Sequence, residues 1–159
     1  MEPDFIDGQS ESFNLRGLAG YIIERSNTPL GGTPTDQAGY LNTPDLTAVL
    51  TATYGIGSYS IQLQQRYVAA SLNGQLSWVV GRDIDRMEVA SGNYTNLQLG
   101  YNGELDNGMQ WRANLNVTNL FNRDPAVVPS YGTRGGAQSI ANEYDEFGRR
   151  YQVSLNMNF

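Results

Sequence analysis

Two carboxylates, Asp83 and Asp85, sit between Arg82 and Arg86 in the segment WVVGRDIDRM at 78–87. Paired acids supply the hard oxygen ligands that Ca²⁺ takes. Here an arginine flanks each acid and balances its charge, so the segment reads as a solvated loop rather than a metal site. Asp36, Asp45, Glu143, Asp145 and Glu146 are scattered acids with the same reading. The side chains best suited to ligand contact are Trp78, Arg82, Tyr131 and Arg134. An aromatic face suits a sugar or a cation, and a guanidinium grips an anionic chelate. Arg134 lies in GTRGG at 132–136, a run whose glycines read first as a mobile loop. Covalent and acid–base chemistry has little to work with. The chain has no Cys and no His, which removes thiolate zinc sites, cysteine nucleophiles and the usual general base. It therefore reads as non-enzymatic, with no metal and no cofactor. Gly55-Ile56-Gly57 is a tight turn, not a phosphate cradle, because no helical pattern follows it.

The elements that hold these residues follow from bulk properties and from periodicity. The 159 residues carry a net charge of -6, with 40% hydrophobic content. The pI is about 4.5 and the mean hydropathy -0.43. An acidic chain is a poor partner for nucleic acid. All ten basic residues are Arg. No apolar run approaches the roughly 18–20 residues of a membrane helix. Membrane strands are only half apolar, so the same numbers leave a β-barrel open. The opening MEPDFIDGQSES has neither a basic nor an apolar stretch and does not read as a signal peptide. For an outer-membrane protein this implies a removed leader or a longer parent chain.

Six segments alternate apolar and polar residues, at about 12–25, 46–54, 58–68, 94–102, 109–120 and 147–159. The last is the clearest. Tyr151, Val153, Leu155, Met157 and Phe159 alternate with Gln152, Ser154, Asn156 and Asn158. Such a pattern makes a strand with one greasy and one wet face, and the wet face here is amide and hydroxyl rather than charge. Most segments reach the roughly 9–11 residues of a tilted membrane strand. The connections alternate in length: long at 26–45, 69–93 and 121–146, short at 55–57 and 103–108. Membrane barrels sort their turns this way. Tyr54, Tyr59, Tyr101 and Trp111 fall near the short turns, as an interfacial aromatic girdle would.

The segment WRANLNVTNLFNRDP at 111–125 precedes YDEFGRRYQVSLNMNF at 144–159. This succession resembles the C-terminal end of TonB-dependent outer-membrane receptors. The residues that carry the likeness are Asn119, Leu120, Phe121, Asp124-Pro125, Tyr144-Asp145, Gly148, Arg149, Arg150, Tyr151 and the final Phe159. The hairpin TATYGIGSYSIQLQQRYV at 51–68 is similar to an earlier hairpin of the same barrels. The likeness spans most of the chain and is strongest in the last fifty or so residues. It implies an all-β fold of six antiparallel up-and-down transmembrane strands, the last six of a barrel of about 22. It further implies an outer-membrane location, with the C-terminus and short turns periplasmic and the long loops extracellular. The chain would serve active uptake of a scarce or bulky ligand: a siderophore, a cobalamin, haem or an oligosaccharide. Its partners would be outer-membrane lipid, the remaining strands and plug of the same receptor, the TonB–ExbB–ExbD system, and the barrel-assembly machinery that reads the terminal strand. Plug and TonB-contacting segment are absent from these 159 residues, a departure from the family that bears on independent transport.

On this reading Asn14, Arg16, Thr51, Gln62, Gln64, Arg66, Asn96, Gln98, Arg112, Asn114, Asn116, Gln152, Asn156 and Asn158 face the lumen. Arg16, Arg66 and Arg112 meet either water or acids of a plug. A six-stranded sheet has two raw edges, and unpaired backbone is costly in lipid, so the chain reads as incomplete by itself. The alternatives are a stand-alone oligomeric pore, a soluble lipocalin-like binding protein, and a barrel enzyme; the last is disfavoured by the lack of His.

Overall fold

On an extended backbone successive side chains point to opposite faces, so alternating polarity favours a sheet that separates two environments. A computed structural model of the protein describes residues 9–28, 30–73, 87–128 and 144–158. Among these residues the chain is all-β, with no helix. Among the described residues no helix is long and apolar enough to cross a membrane, a result that says nothing about crossing by strands. Ten strands form: β1 (Glu11–Tyr21), β2 (Ser26–Asn27), β3 (Thr35–Asp36), β4 (Leu46–Ile56), β5 (Tyr59–Val68), β6 (Ser71–Leu72), β7 (Glu88–Val89), β8 (Gly92–Glu104), β9 (Gln110–Thr118) and β10 (Arg150–Asn158). The six long strands make one sheet in the order β1-β4-β5-β8-β9-β10. Every neighbouring pair is antiparallel, so the sheet is an up-and-down meander. Among the described residues no ladder joins β1 to β10; the sheet is open, with two free edges.

Several element bounds differ from the alternation, each for a local reason. β1 stops at Tyr21 rather than near residue 25. Its partner begins at Leu46, preceded by Asp45 and Pro44, and proline has no amide hydrogen to continue a ladder. One bond continues past it, Ile22 N–H to Asp45 O at 2.8 Å. The first short turn is Gly57-Ser58 rather than 55–57, since Ile56 pairs with Tyr59. Gly57 turns at φ 52°, a left-handed conformation that a two-residue hairpin loop requires. The second short turn closes through Gly108 (φ 80°), with Gly108 N–H donating to Leu105 O at 2.8 Å. β9 ends at Thr118, not 120, because Asn119 is left-handed at φ 53°. β10 begins at Arg150, not 147, after the left-handed Gly148 (φ 69°). Two of the long connections are not bare loops: 26–45 contains the β2–β3 ladder and 69–93 the β6–β7 ladder.

Among the described residues, buried apolar packing gathers at the end where the long connections meet. Val89, Tyr94, Val128 and Tyr144 form the core cluster, with Leu41 and Ala126 packed against it. Leu41 N–H donates to Leu72 O at 2.8 Å and Tyr144 Oη–H to Ala90 O at 3.0 Å, tying three connections together.

Candidate functional site

The ladder register determines which side chains share a face. One cross-strand row reads Asn14–Thr53–Gln62–Gln98–Asn116–Gln152 through all six strands. The row on one side is Ser12–Gly55–Ser60–Gly100–Asn114–Ser154, and the row on the other begins Arg16–Thr51–Gln64–Asn96. Asn102, Arg112 and Asn156 continue the same face toward the short turns. The opposite face carries Phe13–Tyr54–Ile61–Leu99–Leu115–Val153 and Leu15–Ala52–Leu63–Leu97–Val117–Tyr151. A single sheet thus presents an amide and hydroxyl face and an aliphatic and aromatic face. The residues expected on a common polar face all share it.

The polar face is cross-linked where side chains reach one another. Gln62 Nε2 donates to Thr53 Oγ1 at 3.2 Å and Asn96 Nδ2 to Gln64 Oε1 at 3.2 Å. Asn114 Nδ2 donates to Ser154 Oγ at 3.4 Å. Arg112 Nε donates to Asn102 Oδ1 at 2.6 Å. A groove of about 290 Å³ runs over this face between Gln62 and Gln152. It adjoins a second of about 270 Å³ through Asn96 and Thr118, which both grooves share. The second groove is charged and aromatic. Arg66 lies 5.1 Å from the Tyr94 ring centroid, and Arg150 pairs with Asp145 at 3.2 Å and lies 5.1 Å from the Phe147 ring. Arg16 sits on the edge strand opposite Thr51.

The Asn-Leu-Phe segment and the Gly-Arg-Arg segment form a clasp. Asn119, almost fully buried, accepts from Arg123 N–H at 2.8 Å and donates through Nδ2 to Arg123 O at 2.9 Å. Its own N–H donates to Asn96 Oδ1 at 3.0 Å. Leu120 N–H donates to Thr95 O at 2.7 Å. Asn122, also left-handed at φ 52°, accepts from Arg149 N–H at 2.9 Å. The connection between β9 and β10 is therefore pinned at its base, where the chain leaves one strand and joins the next. Phe121 and Tyr151 point outward and are exposed.

The apolar face is uncovered by any described residue. Phe13, Leu15, Leu63, Val153, Leu155 and Met157 are 43–77% exposed. Toward the short turns an aromatic chain runs along this face. Tyr59 and Tyr101 meet edge-to-face with centroids 4.8 Å apart, and Tyr101 and Trp111 lie 5.2 Å apart. Gln65, a polar residue on the apolar face, is satisfied in a local cluster. It donates to Asn93 Oδ1 and accepts from Thr95 Oγ1 at 2.6 Å.

The structure brings together Arg66, Asn119, Gly148, Arg149 and Arg150 around the long-connection end. Arg16 and Arg112 lie elsewhere on the polar face. Trp78, Arg82, Tyr131, Arg134 and Phe159 lie outside the described residues, as do Asp83 and Asp85. Among the described residues no group of three or more acids, His or Cys is placed to hold a metal. Sequence reasoning did not find Tyr94 and Tyr144 as buried anchors. Tyr144 bonds a carbonyl 54 residues away, a contact without a periodic signature. Comparisons with protein-family models, with curated proteins and with solved structures returned no match to this chain.

Proposed function

We propose that this chain is a sector of the wall of an outer-membrane β-barrel, corresponding to the C-terminal barrel portion of a TonB-dependent receptor that takes up a scarce or bulky ligand. One observation carries the reading: the six-stranded register puts amides and hydroxyls on one face and uncovered aliphatic and aromatic side chains on the other. A soluble sheet covers its apolar face with a second layer. A barrel wall leaves that face to lipid and gives the polar face to water. The free edges at β1 and β10 support a partial wall, because every backbone group in hydrocarbon needs a partner. The tyrosines and Trp111 near the short turns fit the boundary where a ring is buried and its polar tip is wet. The clasp residues coincide with the motif that resembles the receptor family.

The free edges also suit a stand-alone pore of several copies. Within the sheet β1 and β10 run in opposite directions, so β10 of one copy would meet β1 of the next antiparallel. Reading the DNA upstream of the codon for Met1 separates the two. The receptor reading expects an open frame continuing to a plug and about sixteen more alternating strands. An in-frame stop with its own promoter there would contradict it and favour the oligomer.

A further inference from the structure

The groove over the polar face has a chemistry of its own. Gln62, Gln64, Asn96, Gln98, Asn116 and Gln152 line it together with Thr118, Leu97 and Val117, and among the described residues no charged side chain borders it. Three of these amides, Gln98, Asn116 and Gln152, are consecutive in one row across β8, β9 and β10. No side-chain hydrogen bond joins any of the three to another described residue, whereas neighbouring Asn96, Gln64 and Gln62 are bonded. Each primary amide offers a donor pair and an acceptor in one plane. Neighbouring strands lie about 4.8 Å apart, so the row repeats an amide at a spacing close to the length of one sugar unit. At the far end of the groove, charge is locally balanced: Arg150 is paired with Asp145, and Glu146 borders the same cavity as Arg66.

We infer that this amide row is a binding rack for an extended, uncharged carbohydrate, lying across the strands with its hydroxyls bonded to Gln98, Asn116 and Gln152. The inference rests on the barrel-wall reading, in which this face lines a water-filled passage. It narrows the ligand class of that passage. A ferric chelate, a haem or a phosphorylated ligand carries anionic groups that call for charge-assisted donors, and the groove offers none. Hydroxyl groups need the paired donors and acceptors that amides provide.

The test uses the full chain folded in lipid vesicles, with malto-, cello-, xylo- and fructo-oligosaccharides as probes and ferric citrate as the anionic comparison. Titration calorimetry is expected to detect at least one oligosaccharide series, with affinity rising with chain length, and no binding of ferric citrate to the groove. Gln98→Glu and Asn116→Asp keep shape but replace amide donors, and each is expected to weaken binding about three- to tenfold. Leu99→Ala, on the other face, is expected to leave binding unchanged. Binding of ferric citrate lost in Gln98→Glu, or failure of all four oligosaccharide series, would overturn the inference. A Trp78→Phe chain, which leaves Trp111 as the sole Trp, serves as the separate control. Quenching of Trp111 by brominated lipid without sugar binding sinks only the carbohydrate inference; no quenching in a chain that floats with the vesicles sinks the barrel-wall reading itself.

Discussion

The two faces of the sheet share one backbone, one set of ladders and one register, yet they solve opposite problems. On the polar face, side chains satisfy one another in short cross-strand pairs such as Gln62–Thr53 and Asn96–Gln64. On the apolar face there is almost nothing to satisfy, and among the described residues no second layer lies above the exposed side chains from Phe13 to Met157. In water, an open apolar surface of this extent marks an interaction site or an aggregation hazard. The difference teaches that the two faces call for different media: on the proposed reading the ladders shape the sheet, and lipid on one face and water on the other let that shape persist.

The comparison breaks most sharply at adjacent residues of β9. Leu115 faces the apolar side and Asn116 the polar side. In lipid vesicles Leu115→Arg is expected to cost about 2–4 kcal/mol if that position is near mid-bilayer, and Asn116→Arg little. Denaturant unfolding from vesicles measures both, and equal tolerance would remove the assignment of faces. The next effect concerns the clasp. Asn119→Ala strips a buried side chain of two hydrogen bonds and leaves a left-handed backbone without asparagine. A loss of about 1–3 kcal/mol is expected, with faster amide exchange at Arg123 and Arg149. Unchanged exchange at both would show that the clasp does not hold the two strand ends together.

A smaller effect tests the aromatic chain. A Cβ at Gly103 would overlap the Trp111 indole directly opposite it. Gly103→Ala is expected to displace that ring and destabilise the sheet by about 1–2 kcal/mol, and Trp111 fluorescence reports the shift. An unaltered spectrum would mean that the ring packs elsewhere. The smallest effect lies away from both faces. Asp36 accepts from Ala38 N–H and Arg25 N–H, each at 2.9 Å, and these bonds hold its carboxyl below the usual carboxylate value, Ala38 contributing most. A carboxyl with a depressed folded pKa stabilises above its unfolded value and loses that contribution as pH falls. Protection of the Ala38 and Arg25 amides is therefore expected to fall between about pH 5 and about pH 2. Protection that is flat across that range would show that the ionised carboxylate does not anchor the β2–β3 ladder.

The strands and their faces were legible because period-two alternation is a local property. Tyr151 to Met157 announce their own geometry without help from any other segment. What spans segments was not legible. That Gln98, Asn116 and Gln152 form one row depends on register, which alternation alone leaves free by two-residue steps. The cluster of Val89, Tyr94, Val128 and Tyr144 gathers residues from three separate stretches, and no window of sequence contains it. Strand ends were misjudged where backbone conformation rather than polarity ends a strand, at Pro44, Asn119 and Gly148. The two-residue ladders β2–β3 and β6–β7 are too short to carry a period. Gln65 interrupts the apolar face and is paired through Asn93 and Thr95, residues 28 and 30 positions on, a partnership outside any local window.

The central claim is that the apolar face meets lipid while the polar face meets water. The chain has no Cys, so single cysteines placed at Gln98, Leu99, Leu115 and Asn116 report without interference. With the protein folded in vesicles, a membrane-impermeant maleimide is expected to label Gln98→Cys and Asn116→Cys. It is expected to spare Leu99→Cys and Leu115→Cys, which a lipid-soluble maleimide then labels. Equal labelling of all four by the impermeant reagent, or labelling of the leucine positions alone, would contradict the account.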